Sequence, residues 1–393
     1  MQQHFDIVIV GSGIVGAATA LALAKETSLQ IAVVEAHPLS TENAITNLRV
    51  SAISLASHAF FQSLGIWNHI PIVDRAPYTH MHVWEEEGKG HIYFDCQEIK
   101  QPALGYIVSD HALRTALINH YPSFSHLHFF CPQQFISLQQ TGDGIFLTTT
   151  DQQLIKTRLL IGADGANSWV REKAHIQLSF HNYQHIAIIA TVQTEKPHAA
   201  TARQCFLAEG PLAFLPLADA HHCSIVWSTT PHHAKELLAL TDQEFCQHLG
   251  TAFNFTLGKI FSTSARIHFP LYRRHAAHYI LPHLALLGDA AHTVHPLAGQ
   301  GVNLGLMDAE SLVSTIKQAI TQQKDFSHFA NLRRYERARK AENLTMMTTI
   351  DILQNLFCQK SRLLKQVGHL GMALTNRSSF IKKFLVNYAV GKR

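Results

Sequence analysis

The feature that most limits how this chain can fold is a complete β–α–β unit at its N-terminus. Residues 5–10 read FDIVIV, an apolar run suited to a buried parallel strand, and they lead directly into GSGIVG at residues 11–16. Residues 17–25 favour an Ala/Leu-rich helix, and residues 30–34 favour a second strand that ends in Glu35. Glycines between strand and helix, with an acidic residue about 20 positions later, predict a dinucleotide-binding unit.

The positions of this glycine pattern differ in their physical roles. Gly11 permits a tight turn, Gly13 lets the backbone approach a pyrophosphate, and Gly16 allows the helix to pack on the strand. Glu35 is expected to accept a hydrogen bond from a ribose hydroxyl. The predicted binding residues of this unit are Gly11, Gly13, Val15, Gly16 and Glu35. The pattern does not distinguish FAD from NAD.

A second informative segment, residues 288–308, reads GDAAHTVHPLAGQGVNLGLMD. A small-residue turn carries one carboxylate, Asp289, and a rigid X-Pro step follows at His295-Pro296. Gly299-Gln300-Gly301 precedes a helix that is predicted from Val302 onward. A helix N-terminus behind a glycine-rich turn is a site for negative charge, such as the N1–C2=O edge of a reduced flavin. An ordinary loop-to-helix junction would explain this segment equally well in isolation.

A third segment lies between these two and reads LLIGADGANSWVR at residues 159–171. An apolar strand ends in Asp164-Gly165, and Ser168 and Arg171 open a helix. In isolation, Asp-Gly is only a turn signal. The Asp164-Gly165 turn becomes informative about function because it lies between the other two motifs in the chain.

The order of the three motifs resembles that of the flavoprotein monooxygenases of the para-hydroxybenzoate hydroxylase type. The run from His295 to Asp308 is similar, more narrowly, to the signature of the UbiH/UbiF family of ubiquinone-biosynthesis hydroxylases. The resemblance covers nearly the whole chain. One departure is visible: where the family usually has Glu-Asn before a helix, this chain has Ser109-Asp110. Asp110 can cap that helix, but a direct flavin contact by Asp110 is doubtful.

The resemblance implies a fold and a reaction. The fold is α/β, with a Rossmann-like FAD-binding domain of the para-hydroxybenzoate hydroxylase type, an inserted sheet-containing substrate domain and a C-terminal helical tail. The reaction is FAD-dependent hydroxylation, by O2 and a reductant such as NAD(P)H, of a polyprenylated phenol or quinol in ubiquinone biosynthesis. It would proceed through a flavin C4a-hydroperoxide. The cofactor supplies the difficult chemistry, and the protein binds, orients and excludes water.

The resemblance also implies roles for individual residues. His295 and Pro296 are candidate walls of the oxygen-reacting face of the flavin, and no other catalytic residue is identified. Asp289 would hold the ribityl chain, and Arg49 would meet the pyrophosphate or an incoming nicotinamide dinucleotide. The further cofactor-binding candidates are Asp164, Gly165, Gly299, Gln300, Gly301, Val302 and Asn303.

Composition excludes several other classes of protein. A net charge of +4 is no argument for nucleic-acid binding. Most of the 28 histidines are isolated, the pairs His221-His222 and His232-His233 are adjacent rather than spaced i,i+4, and no HExxH occurs, so no metal site is predicted. Six scattered cysteines without CxxC spacing predict reduced thiols. No signal peptide and no run of about 18 apolar residues is seen, so the expected location is cytoplasmic.

The C-terminal tail has a distinctive charge pattern. No Asp or Glu follows Asp351, whereas eight Lys and Arg residues do, interleaved with apolar residues. This pattern fits a membrane-surface helix, and it fits equally a terminal helix that packs on the protein with a solvated basic face. The family resemblance implies a lipophilic prenylated aromatic substrate, O2 and a multi-enzyme complex as partners. Together with the tail, it adds peripheral contact with the inner membrane surface or a lipid-binding accessory protein.

The predicted organisation is discontinuous. Residues 1–75, 100–175 and 265–350 are assigned to the FAD-binding domain, residues 76–99 and 176–264 to the substrate domain, and residues 351–393 to the helical, basic tail. Two alternative functions stay open: a flavin-dependent oxidase or dehydrogenase acting on another aromatic substrate, and a non-catalytic flavin-binding subunit of a biosynthetic complex.

Overall fold

The computed structural model describes residues 2–39, 48–86, 90–294 and 301–358, with side chains of the last helix described as far as Ile352. The strands of these residues are β1 (Gln2–Val10), β2 (Ile31–Val34), β3 (Val50–Ser54), β4 (Arg75–Tyr78), β5 (His80–Glu85), β6 (His91–Asp95), β7 (Gly105–Ser109), β8 (Leu127–Phe130), β9 (Phe135–Thr141), β10 (Gly144–Thr149), β11 (Leu154–Gly162), β12 (Leu178–Thr194), β13 (Thr201–Leu207), β14 (Gly210–Pro216), β15 (His222–Thr229), β16 (Ile260–Thr263), β17 (Ile267–Ala276), β18 (Ile280–Leu281), β19 (Leu284–Leu286) and β20 (His292–Thr293). The α-helices are α1 (Ile14–Glu26), α2 (Leu55–Leu64), α3 (Asp110–Ile118), α4 (Trp169–Lys173), α5 (Pro231–Ala239), α6 (Asp242–Ala252), α7 (Gly301–Thr321) and α8 (Phe329–Cys358).

The first sheet has a parallel core in the order β8-β2-β1-β11-β19, extended by antiparallel β18 at one edge and by β10 and β9 beside β11. Helices α1 and α7 contact each other, and their apolar residues join those of the strands in the main hydrophobic core. The predicted β–α–β unit is present as β1, α1 and β2. The prediction of an α/β fold is confirmed.

The second sheet is mainly antiparallel and has the order β20-β17-β12-β15-β14-β13-β5-β6, with β16 beside β12. One face packs against α5 and α6, with Phe214, Ile225, Leu237 and Phe245 in its core. The alternate residues of the same strands face the other way, because successive side chains in a strand point to opposite faces. A third, three-stranded sheet, β3-β7-β4, completes the β structure described here.

Two expectations from the sequence need adjustment. Strand β17, which lies within the stretch assigned to the FAD-binding domain, pairs with β12 and so joins the second sheet. Backbone pairing, rather than chain order, decides this position. The expectation that Asp110 caps its helix is wrong: the Ser109 side chain is the N-cap and accepts a hydrogen bond from Ala112 N at 3.3 Å.

Candidate functional site

A cavity of about 1150 Å³ lies between the first and second sheets. The carboxyl ends of the parallel strands open into it: Val10 and Val34 end β1 and β2, and Ala163 and Leu287 follow β11 and β19. Ligands of open parallel sheets bind at this edge. Sequence-predicted residues that line the cavity are Gly11, Gly13, Val15, Glu35, Arg49, Asp164, Gly165, Asp289, Gly301, Val302 and Asn303.

The three glycines of the GSGIVG motif are required for different structural reasons. Gly11 has φ +97°, and a Cβ there would lie 2.5 Å from the carbonyl oxygen of Ala163. A Cβ on Gly16 would lie 2.1 Å from the carbonyl oxygen of Gly11, so Gly16 permits α1 to approach β1. A Cβ on Gly13 would meet no atom within 4 Å. Gly13 therefore keeps the N-terminus of α1 open to the cavity, where a phosphate would bind.

Glu35 lies at the end of β2 in a network of donors. Its Oε2 accepts from Ser12 N at 2.9 Å, from Ser12 Oγ at 2.8 Å and from Arg114 Nη2 at 3.2 Å, while Oε1 accepts from His37 N at 3.1 Å. Burial opposes ionisation of Glu35, but these hydrogen bonds and the Arg114 charge hold its pKa below the ordinary value. Glu35 is thus an anchored carboxylate, and Oε1 has capacity left for a ribose hydroxyl.

The N-terminus of α7 also opens into the cavity, through Gly301, Val302 and Asn303. Its first turn carries no acidic side chain, which suits the approach of a negatively charged ligand edge. The Asn303 side chain donates to Ala52 O at 2.8 Å and accepts from Ser54 N at 2.9 Å. It therefore joins α7 to β3, and a cofactor contact by this side chain stays a prediction.

Asp289 lines the cavity, and its side chain is exposed to the cavity space. The surrounding protein partly desolvates the carboxyl and raises its pKa, and the charges of His292, Arg49 and Arg274 oppose that rise. Arg49 lies at the rim, with Nε 3.7 Å from Asp110 Oδ2 and the guanidinium 5.7 Å from the centre of the Phe269 ring. The tertiary structure thus brings Arg49 and Arg274, which are remote in sequence, close enough to Asp289 to affect it.

The Asp164-Gly165 turn follows β11. Asp164 Oδ2 accepts from Val170 N at 3.0 Å in the first turn of α4, whereas Oδ1 is buried without a hydrogen-bond partner among the described residues. Burial raises the pKa of Asp164. Gly165 has φ +81° and open space where a Cβ would be. A buried orphan oxygen beside an open glycine fits a turn that meets a polar ligand.

A buried ionic network lies behind the turn that carries Asp289. Asp308 Oδ2 accepts from His292 Nε2 at 2.5 Å and from Gly288 N at 3.2 Å, while Oδ1 accepts from Arg339 Nε at 2.8 Å and from Asn343 Nδ2 at 3.1 Å. Burial opposes ionisation of Asp308, but His292 and Arg339 hold its pKa below the ordinary value. The network therefore connects the backbone of Gly288, next to Asp289, to helix α7 through Asp308 and to helix α8 through Arg339 and Asn343.

The sequence reasoning missed several of these residues. Arg114 carries a weak signal, since it lies four positions after Asp110 on the same helix face. No local sequence pattern predicts the network of His292, Arg339 and Asn343, because these residues are spread over more than 50 sequence positions. Of the predicted residues, Gly16 packs behind the cavity, and His295, Pro296, Gly299 and Gln300 lie outside the described residues.

The cavity wall opposite the glycine turns is formed by the second sheet and is mostly apolar. Its contributors include Met81, Phe94, Ile189, Leu215, Val226 and Leu271. A dinucleotide cradle on one side and an apolar wall on the other suit a bound redox cofactor and an apolar substrate. Among the described residues, no group of three or more His, Cys, Asp or Glu side chains could hold a metal ion.

The features on the first-sheet side fit FAD. The open cradle at Gly13, the anchored Glu35 and the N-terminus of α7 would hold the pyrophosphate, the ribose and the electron-rich edge of the flavin.

Comparisons with known proteins agree with this assignment. The sequence matches the FAD binding domain family over residues 4–348. It is 34% identical over 390 residues to the 3-demethoxyubiquinol 3-hydroxylase of Escherichia coli (strain K12), covering 99% of both chains. It is 32% identical over 435 residues to the mitochondrial ubiquinone biosynthesis monooxygenase COQ6 of Rattus norvegicus, covering 98% of this chain and 90% of the relative.

Solved structures with the same fold include two from Pseudomonas. PqsL of P. aeruginosa, in complex with 2-aminobenzoylacetate, superposes with a TM-score of 0.80 at 20% identity and covers 94% of this chain and 100% of its own. The p-nitrophenol 4-monooxygenase PnpA of P. putida DLL-E4 gives a TM-score of 0.81 at 15% identity, over 100% and 99% of the two chains. These likenesses confirm the predicted fold class.

Proposed function

This chain belongs to the FAD-binding-domain family that includes the ubiquinone-biosynthesis hydroxylases, and from that premise we propose that it hydroxylates the aromatic ring of a polyprenylated phenol or quinol. The chain is an FAD-dependent monooxygenase, as its family resemblance predicted. The ring substrate, its prenyl chain and NAD(P)H as the electron donor are part of the proposal.

One observation carries the proposal: a single cavity joins the dinucleotide cradle to an apolar sheet face. Bound FAD supplies the redox chemistry, in which electrons from a reductant allow one oxygen atom of O2 to enter the ring and the other to leave as water. The chain's own residues position the cofactor and exclude bulk water from the reacting face. An apolar wall suits both the ring and the first isoprene units of its tail.

The residues around the cradle have separable tasks in this proposal. The backbone at Gly13 binds the pyrophosphate, and Glu35, held by Arg114, orients the ribose. Asp289 accepts a hydrogen bond from a hydroxyl of the ribityl chain. The N-terminus of α7, at Gly301 and Val302, stabilises negative charge on the reduced ring system. In this proposal the wall formed by the first sheet serves FAD and the wall formed by the second sheet serves the substrate.

The test is product identification with the purified holoenzyme. A short-chain prenylated phenol is incubated with NAD(P)H and ¹⁸O2, and the product is analysed by mass spectrometry. We expect one ¹⁸O atom in the ring and NAD(P)H consumption that matches product. NAD(P)H consumption that yields only hydrogen peroxide would instead support the oxidase alternative. Quinone precursors that accumulate in a strain without this protein would identify the natural ring position.

We also propose that the enzyme meets its substrate at a membrane surface or on a lipid-binding partner. Transfer of a prenyl chain into water costs about 0.8 kcal/mol per CH2 group, so free diffusion of a long-chain substrate is unfavourable. No described helix is long and apolar enough to span a bilayer. The support for docking is the acid-free basic tail after Asp351, most of which lies outside the described residues.

Charge reversal tests this docking. Basic residues near an anionic surface contribute about 1 kcal/mol each, so Lys382→Glu with Lys383→Glu should weaken binding to anionic liposomes while FAD content stays unchanged. Turnover of a long-chain substrate should fall more than that of a short-chain one. Lys235→Glu with Lys259→Glu, two exposed positions away from the cavity, is the matched control. Unchanged liposome binding in the tail variant would reject the docking role.

A further inference from the structure

We propose that Gln204 is the residue that recognises an oxygen substituent on the substrate ring, through its side-chain amide. The inference rests on the proposed function, because it assigns a specificity determinant for that ring. Gln204 belongs to β13 and lines the cavity on the wall formed by the second sheet.

The sheet register places Gln204 in an otherwise apolar row. Gln204 pairs with Ala213 of β14, Ala213 pairs with Val226 of β15, and Val226 pairs with Ile189 of β12. Residues that pair across neighbouring strands lie on one face of a sheet, and all four line the cavity. On the other side Gln204 pairs with Val83 of β5. The amide is thus the one polar group in this row.

The side-chain amide of Gln204 lies at the cavity and is not engaged by the residues that the structure describes. The residue is 7% exposed, and its side chain makes no hydrogen bond to any residue that the structure describes. Its strand neighbours cannot provide one, since their side chains are apolar. A buried amide that leaves water must be hydrogen-bonded to avoid a desolvation penalty. A polar group on a ligand in the cavity can supply that hydrogen bond when the ligand displaces water.

The chemistry of the row around Gln204 suits a neutral ring oxygen better than a charged group. A Gln amide offers two N–H donors and one carbonyl acceptor, which match a phenolic hydroxyl that both accepts and donates. Recognition of a carboxylate or phosphate normally uses a cation, but the row contains no charged residue. Arg203 also borders the cavity, but the alternation of the strand directs its side chain to the opposite face, where Nη1 donates to His198 O at 2.8 Å. Ala213 and Val226 leave an apolar surface for the ring.

The experiment compares three ligands on holoenzyme variants: a 2-prenylphenol, its methyl ether and the corresponding prenylbenzene. Binding is measured from the change in the flavin spectrum. Wild type should bind the phenol about tenfold more tightly than the prenylbenzene, with the ether between them. Gln204→Met, of similar volume, should reduce this ratio to under twofold while FAD content is retained. Gln204→Leu serves as the second variant should Met disturb folding.

The control is Gln193→Met, on β12 of the same sheet, because Gln193 does not line the cavity. It should keep the full tenfold ratio. A structural role of Gln204 would weaken all three ligands together and leave the ratio unchanged, and that result overturns the inference. If wild type hydroxylates the phenol but shows no such ratio, the inference alone fails. If wild type neither binds nor hydroxylates any prenylated phenol, the proposed function fails and the inference with it.

Discussion

The buried carboxylate of Asp308 offers a direct test of how this site is held together. Asp308 has no solvent exposure, and its ionic partners His292 and Arg339 are 2% and 3% exposed. Removing one member of a buried ion pair typically costs about 3–5 kcal/mol because the remaining charge stays buried. For Asp308→Asn we expect the lower end, about 3 kcal/mol, because Asn preserves the shape and Glu342 still pairs with Arg339.

This loss converts into a measurable melting temperature. An unfolding entropy of about 2.1 cal/mol/K per residue gives about 0.8 kcal/mol/K for a chain of 393 residues. Asp308→Asn should therefore lower the Tm of the apoprotein by about 3–4 °C in differential scanning calorimetry. The apoprotein is used because bound FAD would itself shift the Tm. FAD retention should fall as well, because Asp308 holds Gly288 N beside Asp289.

A control and a pH series sharpen this test. Glu26 and Lys317 form an exposed ion pair, so Glu26→Gln should change the Tm by less than about 1 °C.

The folded pKa of Asp308 is lowered. Its stabilisation is therefore complete above the unfolded value of about 4 and is lost as pH falls through the lower folded pKa. The Tm gap should be constant above about pH 5 and should shrink in acid. A Tm for Asp308→Asn within about 1 °C of wild type at pH 7 would refute the reasoning.

Three further predictions concern the cradle and the cofactor. Gly13→Asp places a carboxylate where the pyrophosphate would bind, and repulsion between these negative charges should cost several kcal/mol, so FAD content should collapse. The control Gly142→Asp, in a turn with open space around it, should keep the FAD content of wild type. Gly16→Ala should lower the free energy of unfolding of the apoprotein in urea by more than about 2 kcal/mol, because the new Cβ meets the carbonyl oxygen of Gly11. Gly13→Ala should not, because a Cβ there meets no atom. Equal losses of stability in the two variants would contradict this steric argument. Asp289→Ala should weaken FAD binding about 10- to 150-fold by titration of the apoprotein, and an unchanged affinity would make Asp289 structural.

The sequence by itself determined the features that depend on local spacing. The β–α–β unit was predictable because a strand, a glycine turn and a helix are contiguous, and the structure places them at β1, α1 and β2. The order of three motifs was sufficient for the family and the cofactor. The open cradle at Gly13 and the helix N-terminus near Val302 follow from the same local patterns.

Only the tertiary structure decided what depends on long-range pairing. Arg114 reaches Glu35 across 79 positions, and Asp308 meets Arg339 across 31, so no local pattern reveals either contact. Hydrogen bonding across strands assigns β17 to the second sheet although the chain order suggests the first. The same register turns Gln204, an unremarked polar residue in a strand, into the one amide of an apolar row. The burial of a side chain and the pairing of its strand are properties of the assembled sheet. They decide which polar side chains bond to other residues and which face the ligand cavity.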